Sequence, residues 1–204
     1  MKFFELNQMP ITDSLKADFF VTLSLKDVIE EKKLQLLEEQ FLLKSAECKN
    51  NQSALNRLRK TYFLKYDQLL NQAENCNILH QKGIADKIKD VLIEYNGSLY
   101  HLLAFSIMPN HIHLLFKLKS AEENQIESHL EGVINLLKEQ LNQNLQQFVE
   151  LDDNLWTEFN CEYQLIQEQE IINLTSYLLE DPVKVGLVNY WKDYPYTFLN
   201  PDFM

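Results

Sequence analysis

His111 and His113 are the residues whose type and spacing most directly offer chemistry in this sequence. They stand two apart in His-Ile-His-Leu-Leu-Phe-Lys-Leu, alternating with Ile112, Leu114, Phe116 and Leu118 in the period of a β-strand. Both imidazoles therefore share the face opposite the apolar residues. Imidazole is the commonest metal ligand among side chains, so the pair is able to hold a divalent ion if that face opens into a cleft. The spacing fits an ordinary pair on a polar face just as well. No Asp-His follows the two histidines, which sets aside the hydrolases whose metal site needs those further ligands. With only four glycines in 204 residues there is also no glycine-rich phosphate loop.

The elements that must position this pair are readable from periodicity. Phe19, Val21, Leu23 and Leu25 alternate with Phe20, Thr22 and Ser24, which predicts a first strand over 18–25. Residues 99–107 and 111–118 read as two strands joined by Met108-Pro109-Asn110, with Ile112 and Leu114 buried and the histidines accessible. Between the first strand and this pair the period turns helical. Ile29, Leu36, Leu37 and Phe41 mark one helix, and Leu55, Leu58, Tyr62, Tyr66 and Leu69 a second, with Ser53 as its cap. Ile84, Ile88, Val91, Leu92 and Tyr95 mark a third, ended by Asn96-Gly97. Ser120 with Glu123 reads as a capping box opening a long helix to about Gln146. After a short strand or loop, residues 168–180 form a last helix that Pro182 stops. The order predicts an α+β fold: a ferredoxin-like antiparallel sheet with helices on one face. Residues 1–204 read as one domain, with a helical insertion at about 27–97.

Composition limits the class. Hydrophobic residues make up 46% and charged residues 24%, so the chain has the material for a core and is not a disordered one. No stretch reaches the ~18 apolar residues of a membrane span and the start lacks a signal-peptide pattern, so a soluble, cytoplasmic protein without a membrane partner is expected. Cys48, Cys76 and Cys161 are odd in number and far apart, which predicts reduced, mostly buried thiols. The net charge of −11 is uneven: residues 1–119 carry 16 Lys and Arg against 14 Asp and Glu, and residues 120–204 carry 3 against 16. Phosphate backbones are bound through displacement of counterions by Lys and Arg, so the acidic part argues against tight nucleic-acid binding there.

Two co-linear segments resemble one family. Ala-Phe-Ser-Ile-Met-Pro-Asn-His-Ile-His-Leu-Leu-Phe (104–116) is similar to the strand–turn–strand of the REP-associated tyrosine transposases and their insertion-sequence relatives, the single-tyrosine HUH type, in which His-hydrophobic-His binds metal. Tyr177-Leu-Leu-Glu-Asp-Pro-Val-Lys-Val-Gly-Leu-Val (177–188) resembles that family's tyrosine helix and its Tyr-x-x-x-Asn-Pro-Val-Lys-x-Gly ending, and Tyr194-Pro195-Tyr196 resembles the closing segment. The resemblance implies that His111 and His113 are metal ligands and Tyr177 the nucleophile. Asp181, one helical turn after Tyr177, takes the place of the family's Asn or Gln and would be a third ligand.

The resemblance implies a DNA transposase, or single-strand endonuclease and strand transferase, working through a 5′-phosphotyrosine with Mg2+ or Mn2+ as cofactor. The implied partner is single-stranded or hairpin DNA, held by a two-fold homodimer. Lys184 matches the family's lysine, and the cations Arg57, Arg59, Lys60 and Lys65 are the expected DNA contacts in the less acidic part. The pattern departs at Thr157, Tyr163 and Ile166, where the family commonly has Gln, His and Arg. A second reading is therefore a domesticated descendant that binds nucleic acid or protein without cutting.

Overall fold

The structure, a computed structural model, describes residues 18–48, 51–73, 76–119, 126–148, 154–158, 161–165 and 167–203. Five strands form one antiparallel sheet in the order β4-β1-β3-β2-β5. They are β1 (Asp18–Ser24), β2 (Tyr100–Ile107), β3 (His111–Leu118), β4 (Cys161–Leu165) and β5 (Thr197–Leu199). Helices α1 (Glu31–Cys48), α2 (Gln52–Gln72) and α3 (Lys82–Glu94) lie between β1 and β2, α4 (Ile126–Leu145) between β3 and β4, and α5 (Glu168–Lys184) after β4. The run β1-α3-β2-β3-α4-β4 has the strand order of a ferredoxin-like sheet, so the expected α+β class is what forms. Added to it are the α1–α2 hairpin, α5 and the edge strand β5, which pairs with β2 through Phe105 and Phe198.

The helices occupy both faces, however, where the sequence pattern predicts one. On one side the stripe of α3 (Ile84, Ile88, Val91, Leu92) and that of α4 (Val133, Ile134, Leu137, Leu141) are buried. Phe116 and Tyr100 stack beneath them, and the Tyr100 hydroxyl donates to Leu92 O at 2.7 Å. On the other side Phe63 of α2 packs edge-on against Phe20 of β1, and Tyr177 of α5 packs against Phe63. The reason lies in the strands, since β1 and β3 have no exposed residue, and β2 has only His101. Runs such as Phe19-Phe20-Val21 and Leu102-Leu103-Ala104-Phe105 are apolar on both sides, the pattern of a strand covered twice. Ile112 and Leu114 are buried as expected. His111 and His113 are fully buried too, which corrects the expectation of accessible imidazoles.

Local signals differ from expectation at the α2 cap, at Pro182 and at two cysteines. The cap of α2 is Asn51, not Ser53: its side chain accepts from Ala54 N at 3.0 Å. Ser120 and Glu123 lie outside the described residues, and α4 is described from Ile126. Pro182 sits inside α5 and does not stop it. A proline removes one donor, and here the helix runs only two residues further before ending in a Schellman motif, with Gly186 at φ +77°. Leu187 N donates to Pro182 O at 2.9 Å and Gly186 N to Val183 O at 3.0 Å. Cys48 and Cys76 are free thiols, half-buried and exposed respectively, not buried as expected. No described helix is long and apolar enough to cross a membrane.

The glycines offer a test with two signs. Gly186→Ala forces a side chain into left-handed backbone and should destabilise the protein by about 1 kcal/mol. Gly132→Ala, in the middle of α4 with open space around its Cα, should stabilise it by roughly 0.5–1 kcal/mol. Urea unfolding of both variants reads the two shifts, and shifts of the same sign would contradict the assigned helix end.

Candidate metal centre

β3 delivers His111 and His113 to the face shared with Ser24 and Thr22, their partners across β1. Each ring is held by its Nδ1. His111 Nδ1 lies 2.7 Å from Asn110 Oδ1, and His113 Nδ1 lies 2.9 Å from Thr22 Oγ1. An amide oxygen only accepts, so His111 carries its hydrogen on Nδ1 and turns the lone pair of Nε2 inward. Asn110 is itself fixed, because its Nδ2 donates to Leu70 O at 3.0 Å at the end of α2. The two Nε2 atoms end 3.1 Å apart.

Two helices close over this pair and each adds a carboxylate. Asp67 belongs to the stripe of α2 that buries Phe63, Tyr66 and Leu70, and Tyr66 is anchored by a 2.7 Å hydrogen bond between its hydroxyl and Ser24 Oγ. Asp67 Oδ1 lies 2.9 Å from His113 Nε2 and 3.6 Å from His111 Nε2. From α5, Asp181 Oδ2 lies 3.5 Å from His113 Nε2 and 4.0 Å from His111 Nε2. Tyr177, one turn earlier on α5, donates its hydroxyl hydrogen to Asp67 Oδ2, and its ring meets that of His113 edge-on at 6.3 Å. Lys184 Nζ sits 3.7 Å above the centre of the Tyr177 ring.

The electrostatics follow from burying these groups together. For His113, burial opposes the charge, but the carboxylates of Asp181 and Asp67 outweigh it and hold the imidazole up at about 9. His111 is pushed down to about 4 by burial and then by charged His113, which its two carboxylate neighbours do not overcome. Asp67 is held down at about 2, as the hydrogen bond and charge of His113 overcome its burial. Tyr177 is pushed well above the ordinary phenol range by burial and by the charge of Asp67. It is a proton donor at rest.

The donor set fits a metal ion. Asp67, His111, His113 and Asp181 each offer one ligand atom, all within 4.8 Å of one another. Asp67 Oδ1 and Asp181 Oδ2 are buried and meet only the imidazoles, at 2.9 and 3.5 Å from His113 Nε2. One imidazolium shared by two buried carboxylate oxygens leaves negative charge in excess, and the two oxygens converge where the inward lone pair of His111 also points. Two nitrogens bound at about 2.1 Å to one ion at a near-tetrahedral angle stand roughly 3.4 Å apart, close to the observed separation.

The structure thus brings His111, His113, Tyr177, Asp181 and Lys184 together. Asp67 was missed in the sequence. Its one local sign, an aspartate four residues after Phe63 and three before Leu70 that interrupts an apolar stripe, marks a buried acid but not what it binds. The four cations of α2 do not form one patch. At 100° per residue Lys60 lies about 20° from Asp67, Arg57 and Arg59 lie about 80° to either side of it, and Lys65 lies on the opposite side. Thr157 uses its carbonyl to accept from Lys138 Nζ at 2.6 Å, so the one lysine of α4 is tied up at the protein's own backbone. Burial lowers that lysine to about 8. Ile166 and the side chain of Tyr163 lie outside the described residues.

No family model matches. A Haemophilus influenzae protein named as a REP-associated tyrosine transposase is 27% identical over 129 residues, covering 58% of this chain and 72% of that protein. Among solved structures, a REP-associated tyrosine transposase bound to a REP hairpin superposes with a TM-score of 0.54 at 13% identity, over 96% of this chain and 82% of the other. A structure described as a transposase of Deinococcus radiodurans reaches a TM-score of 0.42 at 15% identity, over 84% and 95%. Sequence and fold therefore agree with the two motifs in relating this chain to the tyrosine transposase family.

Proposed function

We propose that this protein is a metal-dependent, single-tyrosine DNA transposase that nicks and rejoins single-stranded or hairpin DNA through a 5′-phosphotyrosine on Tyr177. The observation that carries the reading is the convergence of Tyr177 with two histidines and two carboxylates, two of whose oxygens are buried and face only the imidazoles. The relation to a transposase family supports a DNA-binding role, and the solved relative holds a REP hairpin. His111, His113, Asp181 and Asp67 would hold the ion, Mg2+ or Mn2+. When bound, it would polarise a non-bridging phosphate oxygen and lower the cost of negative charge there.

The residues of the chain do the rest. Tyr177 Oη attacks phosphorus in line; the bond to the 3′ oxygen breaks, and the 3′ end leaves as a hydroxyl once protonated. Asp67 Oδ2 already accepts from the Tyr177 hydroxyl and is the atom in place to take its proton. Lys184, over the tyrosine ring, places a positive charge where a phosphate would arrive. The Asp67–Tyr177 hydrogen bond occupies that place at rest, so α5 has to draw back to admit DNA. Lys60, on the side of α2 that carries Asp67, is the α2 cation best placed to meet DNA, and a two-fold homodimer would pair two DNA ends.

Incubation with hairpin DNA and Mn2+ should give a covalent protein–DNA adduct. Tyr177→Phe should abolish it and keep metal binding, whereas replacing both histidines by alanine should remove metal and adduct together. Metal uptake with no adduct under any condition would favour the second reading, a descendant that binds without cutting; the acidic 120–204 part is what speaks for it.

Asp181→Asn restores the amide usual in the family. Metal affinity should fall, measured by calorimetry, while adduct yield at saturating metal should stay equal or rise, because one negative charge beside the scissile phosphate is gone.

Reversing Lys60 to Glu should weaken binding of single-stranded DNA and flatten its salt dependence. Lys65→Glu, on the opposite side of α2, should change the salt slope less. Equal slopes for all variants would place the DNA elsewhere.

A further inference from the structure

We infer that Asn71 is the positioning residue of this metal centre: one amide that holds both acidic ligands, each by its outer oxygen, so that one oxygen of each is left free for the ion. The inference rests on the metal-binding reading above and goes beyond it by naming what sets the carboxylates. Asn71 stands in the last turn of α2, four residues after Asp67. Its Nδ2 lies 3.0 Å from Asp67 Oδ2 and 3.3 Å from Asp181 Oδ1. Both neighbours are carboxylate oxygens, which only accept, so only the amide nitrogen is able to serve them. Its two hydrogens match the two oxygens.

The consequence is a division of labour within each carboxylate. The oxygens bound by Asn71 are the outer ones; the other two, Asp67 Oδ1 and Asp181 Oδ2, face the imidazoles and bond to nothing else. A carboxylate tied at one oxygen binds an ion through the other. Four single donors then surround the ion, two nitrogens and two oxygens, in place of a wider shell with bidentate acids. The same amide joins α2 to α5, the helix of Tyr177, so the fourth ligand is set in register with the inserted hairpin. Thr22 and Asn110 do the corresponding work for the two histidines. Asn71 completes an outer ring in which every ligand is oriented by a neutral polar side chain.

The test uses Co2+, whose visible absorption is strong when four-coordinate and weak at higher coordination. The full-length protein should bind one Co2+ with a strong band. Asn71→Ala should lower Co2+ affinity by about tenfold or more and weaken the band, as the freed carboxylates swing to two-oxygen binding. Asn71→Asp, the same shape with donors replaced by acceptors, should shift the band at least as far. Alanine favours a helix more than asparagine does, so loss of α2 does not explain these effects, and unchanged circular dichroism confirms it. An unchanged affinity and band in Asn71→Ala overturns the role of Asn71 alone. Failure of the unaltered protein to take up Co2+ overturns the metal reading, and the inference with it.

Discussion

Everything in this fold is arranged around two carboxylates buried against two imidazoles. Removing an ionised carboxylate from water costs several kcal/mol unless charge and hydrogen bonds replace the lost hydration. Asp67 and Asp181 come from different helices, and each meets His113 and His111 within 4 Å. The cluster therefore dictates where α2 and α5 sit on the sheet. An apolar surface tolerates sliding, whereas a charge buried away from its partner does not. Metal at this point would be a folding partner as well as a cofactor, since it would neutralise what the imidazoles and one amide now hold.

That constraint explains why the ferredoxin-like core carries a second helical layer. The core alone covers one face of its sheet, with α3 and α4. The opposite face bears Phe20, Thr22, Ser24 and the histidines, and would lie open to water without the α1–α2 hairpin and α5. The hairpin is bound in by specific polar contacts: Tyr66 to Ser24, and the carbonyl end of α2 to Asn110. Asn110 thus has two tasks. Its oxygen orients His111 while its nitrogen caps α2, so the Pro-Asn-His turn aligns His111 with the helix that brings Asp67.

The surroundings of Tyr177 hold it as a half-buried, protonated phenol. Burial and the Asp67 charge keep its phenol protonated, and Phe63 and Lys184 hold its ring on two sides. A site with two acids repels a phosphodiester more than one with an amide in place of Asp181, and the acidic 120–204 part adds to that field. Lys184, over the Tyr177 ring at the end of α5, supplies opposing charge beside the cluster.

Periodicity alone determined the order of the elements, because each rests on local spacing: the alternation in 18–25 and 111–118, the stripe Ile84-Ile88-Val91-Leu92, the apolar run of α4. It also placed His111 beside His113 and Tyr177 one turn from Asp181, since strand and helix geometry bring such pairs together without any further contact. What only the tertiary structure decided was which side of these elements meets which. The histidines read as accessible because a polar face looks exposed until another layer covers it, and the apolar runs on both sides of β1 and β2 were the overlooked sign of that layer. Asp67 was out of reach for a different reason. It stands 44 residues from His111 and 110 from Tyr177 along the chain, and an isolated aspartate in a helix has no local partner that marks it as a ligand. Its role exists only once folding brings α2, β3 and α5 to one point, and a carboxylate's function is set by what surrounds it in space.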